Sequence, residues 1–139
     1  PGVNDVMVAG LSRYFAAVNN STLAKDEKLR AVMDSFEHGG TVTTAGKTTS
    51  ANAFYDSPGC AVLRPGFRAE PDYSSCLSAA DGWTVAISIK LVPGGCEEKA
   101  FLVGDWFTLG ESGHIKHLLI HGPPPPPPPA VPSKRTKDA

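Results

Sequence analysis

The stretch WTVAISIKLVPGGCEEKAFLVGDWFTLGESGHIKHLLIH, residues 83–121, decides the fold. Trp83, Val85, Ile87, Ile89 and Leu91 alternate there with Thr84, Ala86, Ser88 and Lys90. A period of two marks a strand with one apolar face and one wetter face. Pro93-Gly94-Gly95 turns the chain, a second run covers 97–109, Glu111-Ser112-Gly113 turns it again, and 115–121 makes a third strand. Strands joined by short glycine-containing turns read as an antiparallel meander. One face of that meander needs a cover, and only the first third of the chain supplies helices.

Working upstream, residues 3–19 predict a first helix, because Val6, Val8, Leu11, Tyr14, Phe15 and Val18 fall near helical spacing. Asn4 or Asp5 is placed to cap it. Leu29, Val32, Met33 and Phe36 mark one side of a second helix that is expected to stop at Gly39-Gly40. Thr41-Val42-Thr43-Thr44 reads as a short β-branched strand, and residues 50–55 as a short third helix. In the middle, 60–64 and 67–69 are strand candidates broken by Pro65-Gly66 and ended by Pro71, which assigns them to an edge or a bulge. Residues 73–79 are expected to pair with 83–91 across Asp81-Gly82. The order predicts an α+β fold, with N-terminal helices packed on a strongly curved antiparallel sheet.

Residues 1–122 read as one domain. Residues 123–139 read as a proline-rich, basic, disordered tail, because its run of seven prolines cannot donate hydrogen bonds and nothing apolar follows to be buried. The net charge of −1 and the scattered basic residues give poor footing for nucleic acid. No apolar run is long enough to cross a bilayer. Cys60, Cys76 and Cys96 are odd in number and widely spaced, which fits reduced thiols in a cytoplasmic protein. The chain opens on Pro1, so targeting residues upstream of it stay open.

Two motifs in this order of elements carry a resemblance. Arg13-Tyr14-Phe15-Ala16-Ala17-Val18-Asn19 looks like the first-helix motif of the NTF2-like, or SnoaL-like, superfamily. Asp105-Trp106-Phe107-Thr108-Leu109 followed by Gly113-His114-Ile115 looks like its "D-x-F-x-L … G-x-I" hairpin. The resemblance covers residues 3–121. It implies a conical apolar pocket between helices and sheet, with Phe15, Val18, Val85, Ile87, Ile89, Phe107, Leu118 and Ile120 as ligand-binding walls. It also implies a homodimer through the outer face of the sheet, and it implies no cofactor. The nearest enzyme likeness is ketosteroid isomerase, in which a Tyr and a protonated Asp form an oxyanion hole and a separate Asp moves the proton. Tyr14 and Asp105 match the first two positions. The base position falls on or near Thr44, whose hydroxyl is no base near neutral pH without strong activation.

The residues themselves set conditions on that chemistry. Alternation puts Asp105 on one face with Phe107 and Leu109, and Trp106 with Thr108 on the other. An inward Asp105 donates a hydrogen bond only if apolar surroundings keep it protonated. His117 and His121 share a strand face at about 13 Å spacing, too far apart to chelate one metal, and His114 lies opposite, so no metal site is assigned. In the tail, Pro129, Pro132 and Lys134 fit a P-x-x-P-x-K pattern that SH3, WW or profilin-type domains bind. Two functions stay open: a small-molecule pocket with isomerase- or lyase-like chemistry lacking its base, or a dimeric scaffold with a partner-binding tail.

Overall fold

The computed structural model describes residues 4–122; the tail, with Pro129, Pro132 and Lys134, lies outside them. Helix α1 (Asp5–Val18) begins where the Asn4 side chain accepts from the Met7 N–H at 2.9 Å. Helix α2 (Lys25–Met33) begins where the Glu27 carboxylate accepts from the Ala24 N–H. Helix α3 (Ala51–Tyr55) is capped by the Ser50 hydroxyl, which accepts from the Ala53 N–H. Each cap satisfies an amide that the first helical turn would leave unpaired.

Six strands form one sheet: β1 (Phe36–Thr44), β2 (Lys47–Ser50), β3 (Arg68–Ser78), β4 (Thr84–Val92), β5 (Phe101–Leu109) and β6 (Ile115–His121). Their order is β2-β1-β6-β5-β4-β3. Strands β4, β5 and β6 make the expected meander, and β3 pairs with β4 as the outer strand, where Pro71 needs no ladder donor. The sheet is mixed, because β1 lies parallel to β6 while every other pair is antiparallel.

Several boundaries differ from the sequence reading. Phe36 opens β1 opposite Ile115, so the second helix ends at Met33 and the Gly39-Gly40 pair lies within a strand. The β1–β6 register shifts between Phe36 and Thr41. A Cβ on Gly40 would stand 2.9 Å from the Phe36 ring and 3.2 Å from the Ile115 carbonyl oxygen, so glycine there permits a bulge and close strand approach. Residues 60–64 form turns, not a strand; Arg64 N–H bonds to the Ala61 carbonyl. On α1, Val6 and Val8 are exposed and Met7 is buried instead. The inner face of the sheet and α1 share one core, in which Phe107 meets the rings of Tyr14 and Phe15 edge-on at 5.4 and 5.9 Å.

A candidate ligand pocket

Strand pairing lays the inner face out in rows. Val42, Leu118, Phe107 and Val85 form one row, all fully buried, with Phe107 against Tyr14 and Phe15 of α1. The next row is Thr44, Ile120, Asp105 and Ile87. Beyond it come Val103 with Ile89, then Phe101 with Leu91. From the Asp105 row onward the same face borders a hollow of about 540 Å³, lined by Thr44, Asp105 and Ile120 and then by Ile89, Val103, Phe101 and Leu91. That volume falls within the range of small-molecule sites.

Of the walls expected from sequence, Phe15, Val18, Ile89 and Ile120 border this hollow. Val85, Ile87, Phe107 and Leu118 do not; they are core residues with 2% exposure or less. Their place in the packed core leaves them no face toward the hollow. The walls that sequence missed are Phe54 and Tyr55 of α3, Phe67 and Ala69 at the start of β3, and Phe101 and Val103 of β5. Strand periodicity does mark Phe101 and Val103 as inward, but α3 and the loop before β3 carry no such signal.

Tyr14 and Asp105, named from sequence, border the same hollow. The Tyr14 hydroxyl bonds to the Tyr55 hydroxyl at 2.5 Å. Burial pushes both phenols up, and the charge of ionised Asp105 raises each of them further, so both stay neutral and able to donate. Asp105 is 5% exposed, and its Oδ1 is buried without a hydrogen-bond partner among the described residues. Burial lifts its pKa to about 7. The reason is its surroundings: the neighbours on its own face are Val103 and Phe107, and those across the ladder are Ile87 and Ile120.

Proton arithmetic gives the site its chemistry. Two neutral phenols carry two protons; their mutual bond uses one, and the other is free to be donated. Asp105 in its acid form adds another. The oily hollow is thus bordered by two groups able to donate, a tyrosine hydroxyl and the acid form of Asp105. Thr44 borders the hollow in the same row as Asp105, two strands away, roughly 10 Å by strand spacing. Its hydroxyl offers no base. The Cys60 thiol on the wall is pushed up by burial, which keeps it protonated.

The histidines serve elsewhere. His117 lies between the Thr41 and Thr43 hydroxyls at 2.6 and 3.2 Å, and His114 bonds the Ser112 hydroxyl. His121 borders the mouth of the hollow at the end of β6. Among the described residues no three His, Cys, Asp or Glu side chains converge as a metal site would require. No helix among them is long and apolar enough to cross a membrane.

No protein-family model and no curated protein matches the chain. Solved structures do. An epoxide hydrolase/cyclase-like enzyme of pyran-ring formation in the polyether salinomycin superposes with TM-score 0.63 at 15% identity, over 84% of this chain and 90% of that one. A steroid delta-isomerase from Pseudomonas aeruginosa gives TM-score 0.61 at 16% identity, over 88% and 82%. A SnoaL-like protein from Burkholderia thailandensis gives 0.62 at 15%, over 89% and 100%. Three helices on a six-stranded mixed sheet, matched at this level over most of the chain, are the α+β fold of the SnoaL-like, NTF2-like proteins.

Proposed function

We propose that the hollow binds a small apolar ligand carrying one oxygen acceptor, such as a ketone, whose oxygen is held by the Tyr14 hydroxyl and by Asp105 in its acid form. The observation that carries this is the Oδ1 of Asp105, buried and unpartnered at the floor of an apolar hollow beside a tyrosine pair. A buried polar atom left unpaired costs about 1–3 kcal/mol, which a ligand oxygen or hydroxyl would recover. The likeness to a steroid isomerase supports the same reading. Donors aimed at a carbonyl oxygen also stabilise an enolate, by roughly 3–4 kcal/mol each in a dry site. Isomerase- or lyase-like turnover would need a base, and Thr44 is not one, so binding and polarisation are the better-supported roles.

The test compares 2-acetylnaphthalene with 2-ethylnaphthalene, which share shape and differ in the carbonyl. Calorimetry should show the ketone binding about tenfold more tightly, the worth of one or two net hydrogen bonds. Tyr14→Phe and Asp105→Leu should each reduce that preference, and Asp105→Asn, which keeps an amide donor, should retain most of it. Equal binding of the two compounds to the unaltered protein would defeat the reading.

A specific observation favours a second, compatible role. On the outer face of the sheet, Leu77, Ala86, Trp106 and Leu119 form an apolar row across four strands, and Leu102 shares that face four residues along β5, opposite Lys90. Leu77, Leu102 and Trp106 are exposed. We infer that this face pairs two copies of the chain, leaving the hollow on each copy open and the polyproline segment available to a PPII-binding partner domain.

A further inference from the structure

Beside the hollow lies a smaller groove of about 230 Å³. It is lined by Lys25 at the start of α2, by Tyr55 at the end of α3, and by Ser57, Cys60, Leu63 and Arg64 of the loop after α3. Its charges are of one sign: Lys25 and Arg64 line it, and no carboxylate does. Asp26, Glu27 and Asp56 are close in sequence but are not among its walls. The ion pairs of the described residues all join Arg68, Glu70, Lys90 and Glu97, so neither groove cation has a carboxylate within reach. Among the described residues the Arg64 guanidinium makes one long bond, donating to the Pro58 carbonyl at 3.3 Å.

A third cation stands behind these two. Lys28 follows Lys25 by one helical turn and so shares its face of α2. It is 6% exposed, with no carboxylate in ion-pair reach, and the one titratable neighbour that acts on it is the Cys60 thiol. Burial pushes the Lys28 amine down. The covered part of Lys28 is its stem, and an ammonium with no carboxylate beside it adds to the positive field that an anion nearby would meet. Tyr55, Ser57 and Cys60 border both the groove and the hollow, so the two adjoin along these residues.

We propose that this groove is an oxyanion subsite of the same pocket: the ligand is amphipathic, with its apolar body in the hollow and a carboxylate, sulfonate or phosphate between Lys25 and Arg64. The guanidinium fork of Arg64 suits a planar or tetrahedral oxyanion, and the Lys25 ammonium supplies a point charge opposite. The inference rests on the pocket reading above and narrows its ligand class from neutral apolar compounds to apolar acids.

Two dyes that differ by a single sulfonate test it: 8-anilinonaphthalene-1-sulfonate and N-phenyl-1-naphthylamine. Fluorescence titration of the full chain should show the sulfonate binding at least about fivefold more tightly than the neutral dye. Both dyes should be displaced by 2-acetylnaphthalene. Lys25→Gln combined with Arg64→Gln changes two exposed side chains, so the fold should persist by circular dichroism. That variant should lose the sulfonate preference while binding the neutral dye as before, and added inorganic phosphate should weaken only the sulfonate dye on the unaltered protein. Equal sulfonate binding by the variant and the unaltered protein, or equal weakening of both dyes, would overturn the subsite and leave the pocket standing. If the neutral dye does not bind the unaltered protein at all, the pocket reading falls and the subsite with it.

Discussion

The hydroxyl oxygens of Tyr14 and Tyr55 lie 2.5 Å apart, joining two helices across 41 residues of chain. Because this bond occupies one of the two phenolic protons, the two tyrosines are not equivalent to a ligand. Tyr55→Phe removes the mutual bond, lowering stability by about 1 kcal/mol, but frees the Tyr14 proton for donation. Ketone affinity should then stay within about twofold of the unaltered protein. Tyr14→Phe should lower stability by a similar amount and also weaken the ketone about fivefold or more, sparing the hydrocarbon. Thermal melts and calorimetry on the two variants separate these effects. The opposite pattern would make Tyr55 the hydroxyl that faces the ligand.

Asp105 should make the protein less stable as pH rises. Its pKa is raised from 3.8 to about 7 by burial, whereas in the unfolded chain it returns to the ordinary value. Between those values the folded protein holds a proton that the unfolded chain has released. The contribution is therefore fully present below about pH 4, declines as pH rises, and is gone above about pH 7, a total of about 4 kcal/mol. Asp105→Asn keeps the shape and does not titrate. Urea unfolding should find it close to the unaltered protein near pH 4 and several kcal/mol more stable at pH 8. A variant less stable at pH 8 would instead mean that Asp105 is an ionised carboxylate holding the structure together.

Much of this architecture is legible because a strand's period of two fixes each side chain's face whatever packs on it. That is how Asp105, Phe107 and Leu109 declare themselves inward, and Trp106 outward, before any contact is known. The same period is blind to distance along the strand. Val85 and Phe107 look like Ile89 and Val103 in sequence, yet the first pair has no face toward the hollow and the second borders it. Phe36 misleads for a different reason. It falls at helical spacing from Val32 and Met33, but the ladder to β6 and the bulge at Gly40 outweigh three more residues of helix. The meeting of Tyr55 with Tyr14 has no local signature, because it depends on where β2 and the Ser50 cap set down a helix of five residues.

Asn19 should matter more than its position at the end of α1 suggests. Its side-chain amide donates to the Ala69 carbonyl and accepts from the Ala69 N–H, each at 2.8 Å. Strand β3 is at the sheet edge, so these backbone groups have no second strand to pair with. Asn19→Ala leaves both unsatisfied, and a loss of about 1–3 kcal/mol is expected. Hydrogen exchange should quicken first around Ala69, and ketone affinity should fall because Phe67 and Ala69 border the hollow. Uniform exchange along the sheet would show that the bond is incidental.

The outer face should set the oligomeric state. Trp106 is 47% exposed in a row of apolar side chains, an arrangement that water disfavours over a contiguous patch. Analytical ultracentrifugation should show dimers that Trp106→Lys converts to monomers, while circular dichroism and dye binding in the hollow stay unchanged. A monomeric unaltered protein at micromolar concentration would remove the dimer.

Two loops close on each other at the mouth through a contact that only glycine allows. Gly66 has φ +82°, and a Cβ there would sit 2.8 Å from the carbonyl carbon of Gly94 and 3.0 Å from its oxygen. Phe67 and Pro93, next to these glycines, both border the hollow. Gly82, in the turn between β3 and β4, has a similar φ of +78° with open space around it. Gly82→Ala should therefore cost about 1 kcal/mol from the backbone conformation alone. Gly66→Ala bears that penalty and must also push backbone apart, so a further loss of about 1–3 kcal/mol is expected. The separation of the loops should widen the mouth and accelerate ligand release, which stopped-flow fluorescence can follow. Equal destabilisation by the two substitutions, with unchanged release, would mean the loops part freely and that the Gly66–Gly94 contact does not shape the entrance.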